Sequence, residues 1–290
     1  MHSSLIKLAR PSQWIKNSLV LAALFFAGVA DDSHSLILAF AAAAAFCLLS
    51  SSIYALNDLI DCELDKNHPL KKSRPIAAGE ISTATAALFS FILAAAGLYS
   101  AWLINFELFI VSVIFLLLNV LYSIWLKHIV ILDVMTIALS FVIRAYAGAV
   151  AIEVAASKWM LINTLFLALF LAFGKRRHEL VLLDDEATSH RQSLSKYSPY
   201  LLDQLISVVT ASVVVAYLLY TFSSEVSSKL NTEYLYITVP FVVYGIFRYL
   251  YLIHYEEKGG SPTKVLIGDK PLMLDVILWL ATVIIILYLI

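Results

Sequence analysis

Apolar residues fill nine stretches of this chain, at about 17–30, 36–56, 82–104, 107–126, 129–152, 159–173, 203–223, 234–254 and 272–290. Each lasts roughly 15–25 residues and lacks the strict alternation of a barrel strand. A helix needs about 20 residues to cross a bilayer, a barrel strand about 10. Hydrocarbon offers no hydrogen bonds, so every backbone N–H and C=O must find an internal partner, as helices allow. The pattern therefore predicts an all-α, polytopic integral membrane protein of about nine transmembrane helices, forming a single domain over 1–290. The first and sixth stretches are short, and are expected to tilt or to extend into the interfacial layer. Long polar stretches follow the second, sixth and eighth, at 57–81, 174–202 and 255–271.

Composition agrees. The 290 residues are 61% hydrophobic and only 14% charged, with a mean hydropathy of +0.86. A soluble domain is nearer 45–50% apolar and about 25% charged. The basic start followed by an apolar stretch resembles a signal peptide, but no small-residue cleavage pattern follows, so it reads as a first span. The net charge of -1 is uninformative, and no nucleic-acid partner is expected. The distribution of charge is informative. With nine spans, seventeen of the 20 Lys and Arg residues fall on one side, including Lys7, Arg10, Lys71, Arg74, Lys175, Arg176, Arg177 and Arg191. Lys158 and Lys229 fall on the other, and Arg144 lies within a span. The basic side is expected to be cytoplasmic. That puts the N-terminus inside, the C-terminus outside and the three long polar stretches in the cytoplasm, in an inner (plasma) membrane. Cys47 and Cys62 are not on the outer side, so no structural disulfide is implied. Residues 1–16 read as a basic interfacial helix bearing Trp14, or as a simple topology anchor.

The first polar stretch carries the chemistry. It contains Asn57-Asp58-x-x-Asp61-x-x-x-Asp65, then His68, Pro69, Lys71, Lys72, Arg74 and Pro75. If the second helix runs through Asp65, all four acid and amide side chains share one face over about two turns. Converging carboxylates repel each other unless a hard cation is shared among them. Mg2+ takes oxygen ligands, keeps waters, and binds one or two carboxylates together with substrate phosphates. The neighbouring cations suit phosphate oxygens that the metal leaves unneutralised. A solvated loop of mixed charge is the ordinary alternative. The acid face, its place at the membrane edge, the prolines and the basic tail together favour a magnesium–diphosphate site.

Asn-Asp-x-x-Asp-x-x-x-Asp, the following His-Pro-x-Lys-x-x-Arg-Pro and the nine-helix layout resemble the UbiA superfamily of membrane prenyltransferases along nearly the whole chain. That resemblance implies that Asn57, Asp58, Asp61 and Asp65 bind Mg2+ and a donor diphosphate, in a cavity open to the cytoplasm and sideways to lipid. The aromatic prenyltransferases of the superfamily carry a second acidic string after the sixth span. Here the chain reads Gly174-Lys175-Arg176-Arg177-His178-Glu179, then Arg191-x-Ser-Leu-x-x-Tyr197. Asp184 and Asp185 do not make that pattern. The basic string suits a metal-free phosphate, although on its own it reads more readily as a topology signal. It is similar, with Arg10-Pro-x-Gln-Trp-x-Lys-Asn17, to the branch of decaprenyl-phosphate phosphoribosyltransferases.

That branch implies transfer of 5-phosphoribose from phosphoribosyl diphosphate to a polyprenyl phosphate, using Mg2+ and releasing diphosphate, for a cell-envelope polysaccharide precursor. The expected catalytic residues are Asp58, Asp61, Arg74, Lys175 and Arg176. Substrate binding is expected from Lys16, Asn17, Tyr54, Asn57, His68, Lys71, Arg74, Lys127, Asp133, Arg144, Lys175, Arg176, Glu179, Arg191 and Tyr197. Tyr122-Ser-x-x-Leu-Lys127 and Asp133 also match a family pattern. Arg144 sits among apolar residues, where a charge costs about 2.5–3.5 kcal/mol on insertion scales; it reads as a site residue or as part of a buried structural network. Asp269-Lys270-Pro271 either closes the last loop or starts a helix. Two other functions share parts of this pattern: prenyl transfer from a prenyl diphosphate to an aromatic or other small acceptor, and membrane transport. The first expects the missing second acidic string, the second expects polar residues through the membrane depth and often repeats. The partners implied are the bilayer, the donor and the lipid phosphate, and a homo-oligomer is compatible with the layout.

Overall fold

A computed structural model describes residues 2–67, 71–183, 193–256, 260 and 262–288. Among the described residues there is no strand. Eight helical segments are long and apolar enough to cross a membrane: Ser33–Ile60, Thr83–Ile104, Phe106–Ile124, Leu132–Ala151, Lys158–Val181, Pro199–Thr221, Tyr234–His254 and Lys270–Leu287. The protein is therefore a multi-pass integral membrane protein. It forms two compact units, Met1–Ser157 and Lys158–Ile290.

The first unit holds α1 (His2–Ala9), a 3-10 helix (Pro11–Leu21), α2 (Ala22–Ala27), α3 (Ser33–Ile60), α4 (Cys62–Lys66), α5 (Thr83–Ile104), α6 (Phe106–Ile124) and α7 (Leu132–Ala151). Polar residues before the apolar runs start the long helices. Asp32 accepts from the Ser35 N–H at 2.8 Å, Ser82 from Thr85 N–H at 3.1 Å and Asn105 from Leu108 N–H at 2.7 Å. Each such cap contributes about 1 kcal/mol. Small residues then let helices approach. Ser52 and Ser90 exchange hydrogen bonds between α3 and α5 at 2.8 and 2.9 Å, and Gly97 faces Leu49. Val20, Phe46, Leu49, Phe115, Ala147 and Ala151 form part of one buried apolar cluster, with the Phe46 and Phe115 rings 5.1 Å apart.

The N-terminal segment departs from the expected single interfacial helix over 3–16. It breaks at Arg10, whose φ of 51° and ψ of 61° are left-handed. Pro11 is the cause: a proline disfavours the right-handed helical region for the residue before it. The first expected span, 17–30, is built from the 3-10 helix and α2, each short of a full crossing as an α-helix. A 3-10 helix rises about 2.0 Å per residue against about 1.5 Å for an α-helix, so end to end the two would cover about 30 Å. At one point this segment touches α7 closely. A Cβ on Gly148 would lie 1.9 Å from the Val20 carbonyl oxygen.

The second unit holds α8 (Lys158–Leu183), a 3-10 turn (Leu194–Lys196), α9 (Pro199–Thr221), α10 (Ser224–Leu230), a 3-10 turn (Tyr234–Thr238), α11 (Val239–His254), α12 (Pro262–Gly268) and α13 (Lys270–Tyr288). The loop expected over 174–202 begins later than the sequence suggests. Hydropathy falls after Phe173, yet α8 continues to Leu183. The reason is that Lys, Arg, Glu and Leu are good helix formers and no proline interrupts them. The polar stretch 255–271 likewise contains α12. Asp269 settles the start of α13: it accepts from the Leu272 N–H at 2.9 Å and is gripped by Arg248 at 2.7 and 3.1 Å. The Tyr217 hydroxyl, deep in this unit, meets Thr238 at 2.7 Å and the Trp279 indole N–H at 2.9 Å.

Candidate active site

The acid face forms at the end of α3. The helix bends at Asp61, but the i to i−4 pattern survives: Asp61 N–H donates to Asn57 O at 2.9 Å and Asp65 N–H to Asp61 O at 2.8 Å. The four predicted side chains thus stay on one side of the chain. Asp58 and Asp65, seven residues apart, both meet the Nη1 atom of Arg74, at 3.0 and 2.5 Å. Both are nearly inaccessible, at 2% and 3% side-chain exposure, whereas Arg74 is 22% exposed. Asp61 pairs instead with Lys127 at 2.6 Å and accepts from the Asn57 amide at 3.1 Å.

Two turns present the cations. Arg74 stands on a compact turn in which Arg74 N–H donates to Lys71 O, Ala78 N–H to Arg74 O and Glu80 N–H to Pro75 O. Gly79 closes it at φ 74°, a conformation that glycine adopts freely. Ile76 anchors the turn in a buried cluster with Leu8, Ala55, Cys62, Ile81 and Ala86. Lys127 stands on a 3-10 turn, Leu126–His128, and is 7% exposed. Ile131, just beyond, has φ 69°. A β-branched residue there carries strain of order 1–3 kcal/mol, held by the surrounding structure.

Arg10 was not expected at the site. Its Nη2 lies 2.5 Å from Asp58 Oδ1, and its guanidinium lies over the Tyr54 ring, 5.3 Å from the centroid. The N-terminal segment is pinned beside it: Trp14 Nε1–H donates to Ser51 Oγ at 2.9 Å, and the Ser51 hydroxyl donates to Ala9 O at 2.9 Å. The sequence did hold a signal, since Arg10 opens the same basic string as Lys16 and Asn17. Three carboxylates, Asp58, Asp61 and Asp65, therefore meet three cations, Arg10, Arg74 and Lys127.

Deeper along α3 lies a second polar layer. Arg144 Nε–H donates to Asn17 Oδ1 at 2.8 Å, and Nη1 donates to Ser140 O at 3.0 Å and Ser140 Oγ at 2.9 Å. Nη2 reaches Ser50 Oγ at 3.4 Å. Phe115 and Phe141 flank the guanidinium, with centroids at 4.7 and 5.2 Å. Arg144 and Asp133 lie eleven residues apart on α7, and Asp133 is fully buried in the first turn of that helix. Lys16 is half-buried on the 3-10 helix beside Asn17, and Lys71 is half-buried on the Arg74 turn.

In the second unit, Lys175, Arg176 and Glu179 stand on α8. Arg176 is 2% exposed and meets Glu179 at 2.6 Å, with Lys175 at 3.7 Å from the same carboxylate. Arg177, not among the expected site residues, binds Asp203 of α9 at 2.6 Å, and His254 meets that same oxygen at 3.2 Å. Tyr197 is buried at the end of a 3-10 turn. His68 and Arg191, both expected at the site, lie outside the described residues, as do Asp184 and Asp185.

The acid face fits magnesium by its chemistry. It offers only oxygen donors. Asp58 Oδ2 and Asp65 Oδ1 have no hydrogen-bonding partner among the described residues, while their other oxygens hold Arg10 and Arg74. Among the described residues no three His, Cys, Asp or Glu side chains converge into a metal cage. An ion held by one or two carboxylates, completed by phosphate and water, is the form that Mg2+ takes with phosphorylated substrates.

The burial pattern makes an asymmetric prediction. Arg74→Ala removes the cation shared by two buried carboxylates, and an unpaired buried charge is costly. Asp58→Asn removes a buried charge and leaves Arg10 and Arg74, each about a quarter exposed, to water. Thermal unfolding in detergent is therefore expected to show a clearly larger loss of stability for Arg74→Ala than for Asp58→Asn.

Known proteins resemble this chain in both sequence and fold. A Mycolicibacterium smegmatis protein named decaprenyl-phosphate phosphoribosyltransferase is 36% identical, over 97% of this chain and 91% of its own length. One of the same name from Corynebacterium glutamicum is 33% identical, over 98% and 86%. A UbiA homolog from Archaeoglobus fulgidus, solved with GPP and Mg2+ bound, superposes with a TM-score of 0.73 at 19% identity, covering 98% of this chain and 99% of that one. That likeness establishes the fold. The UbiA prenyltransferase family pattern matches residues 18–267, and with near full-length relatives above 30% identity the chain belongs to that family.

Proposed function

We propose that this transferase moves 5-phosphoribose from phosphoribosyl diphosphate to a polyprenyl phosphate, releasing diphosphate, on the cytoplasmic face of the membrane. The observation that carries the reading is the 36% identity to a decaprenyl-phosphate phosphoribosyltransferase along 97% of the chain. The basic Lys175–Glu179 run, standing where a second acidic string is expected for prenyl diphosphate, supports it.

In this reading Asn57, Asp58, Asp61 and Asp65 would hold Mg2+ beside the donor diphosphate. The bound ion supplies charge neutralisation on the leaving diphosphate. Arg10, Arg74 and Lys127 turn from the carboxylates to the phosphate oxygens, so that charge building on the leaving group meets preorganised donors. The C1–O bond to diphosphate breaks and its electron pair leaves with diphosphate, while a lipid phosphate oxygen forms the new bond to C1. The attacking oxygen is already anionic, so no general base is required. Lys175 and Arg176 serve the metal-free phosphate of the acceptor. A charge-assisted hydrogen bond contributes about 1.5–3 kcal/mol. Lys175→Ala is thus expected to raise KM for the lipid phosphate about tenfold or more, with KM for the donor unchanged in initial-rate assays.

The reading is tested by incubating purified protein with Mg2+, polyprenyl phosphate and labelled phosphoribosyl diphosphate, beside a labelled prenyl diphosphate with an aromatic acceptor. Label is expected in the lipid fraction only from phosphoribosyl diphosphate. Prenyl transfer without phosphoribosyl lipid would overturn the assignment.

A further inference from the structure

Arg144 has a feature that the diphosphate site does not use. It is 5% exposed, within a segment that crosses the membrane, and all its hydrogen bonds go to neutral groups: Asn17, Ser50 and Ser140. Among the described residues no carboxylate pairs with it, although Asp58, Asp61 and Asp65 are each paired. A buried cation without a counter-charge is costly in a membrane and marks a functional site by default. Its position is also informative. Ser50, Tyr54 and Asp58 follow i, i+4, i+8 on α3, so they lie on one helical face. Ser50 touches Arg144 and Asp58 belongs to the acid face. Eight helical residues span about 12 Å. One polar stripe thus joins an acid end to a guanidinium about two turns away that has, among the described residues, no carboxylate partner.

The guanidinium closes that stripe against apolar residues: the Phe115 centroid lies 4.7 Å from it, and Phe46, one turn past Ser50 from the acid end, packs 5.1 Å from Phe115. A prenyl donor would lay hydrocarbon along this stripe, against Asn17, Ser50 and a guanidinium that then has no anion. A donor carrying a second anionic group suits it, because a phosphate monoester supplies the missing charge and accepts from the guanidinium fork. We propose that Arg144, with Asn17 and Ser50, receives the 5-phosphate of the donor, and that this contact selects phosphoribosyl diphosphate over donors with one anionic end. The proposal rests on the phosphoribosyl reading of the acid face and adds to it a determinant of donor choice.

The test compares wild type, Arg144→Gln and Arg144→Lys with two donors, phosphoribosyl diphosphate and ribosyl 1-diphosphate. Losing one partner of a buried, hydrogen-bonded charge pair costs about 2–5 kcal/mol, about 30-fold or more in affinity. Arg144→Gln is expected to raise KM for phosphoribosyl diphosphate by at least about that factor and to leave kcat/KM for ribosyl 1-diphosphate unchanged, with Arg144→Lys recovering part of the loss. Ribose 5-phosphate should bind wild type in calorimetry and not Arg144→Gln. Equal losses on both donors with a lowered melting temperature would overturn the proposal and make Arg144 a structural brace. A raised KM for the lipid phosphate alone would also overturn it, by assigning Arg144 to the acceptor. If wild type makes no phosphoribosyl lipid, the proposed reaction itself fails. Ribose 5-phosphate binding then still decides the Arg144 site, and its absence in wild type would overturn it.

Discussion

Asp58→Ala is expected to lower kcat for transfer by about a hundredfold or more, the scale on which removing one preorganised electrostatic contact at a reacting centre acts. Asp58 meets two of the cations: its Oδ1 binds both Arg10 and Arg74. Its loss removes an oxygen proposed to hold the metal and frees both cations from their resting positions at once. The protein itself should persist. The deleted group is the buried member of the trio, and the two guanidiniums that remain are about a quarter exposed. Activity and melting temperature, measured on the same preparation, therefore separate. Full activity in Asp58→Ala would remove the acid face from the mechanism. A collapse in melting temperature equal to that of Arg74→Ala would make its role structural.

Gly148→Val is expected to destabilise the first unit by more than about 3 kcal/mol, beyond the usual 1–3 kcal/mol of overpacking. At Gly148 the obstacle to a side chain is backbone: the Val20 carbonyl oxygen would sit 1.9 Å from the new Cβ. The 3-10 helix and α7 must separate. Arg144 stands one turn before Gly148, so its bond to Asn17 parts with them. Gly97 offers a control. There an added Cβ meets the Leu49 side chain at 2.7 Å, and the nearest backbone atom, the Ala45 carbonyl oxygen, is 3.1 Å away. Thermal unfolding of Gly97→Ala should show a much smaller loss than Gly148→Ala. Comparable losses would mean that the close approach at Val20 is not required for the fold.

Local features were legible in the sequence and distant pairings were not. Apolar run lengths gave the helices, and the spacing of Asn57, Asp58, Asp61 and Asp65 gave their shared face. Both depend on residues within a few turns of each other. The partners of those acids come from far along the chain. Arg10 is 48 residues from Asp58, and Lys127 is 66 from Asp61. Periodicity has no information at that separation, although Lys127 was expected near the site by its family pattern. Hydropathy also misplaced the end of α8, because it reports where the membrane stops and not where the helix does. The 3-10 helix was hidden for a similar reason: residue type barely distinguishes 3-10 from α.

The three-against-three charge balance of the acid face has a consequence for how the enzyme is made. Many small metal sites are folding nuclei, and chelators unfold them. Here the protein's own cations already balance the charge of the carboxylates, so the bundle can be inserted and completed in a membrane before any divalent ion arrives. With Mg2+ held as proposed, catalytic competence would be acquired and lost reversibly in a finished protein. A chelator should silence the enzyme without moving its melting temperature, and added Mg2+ should restore it with no refolding step.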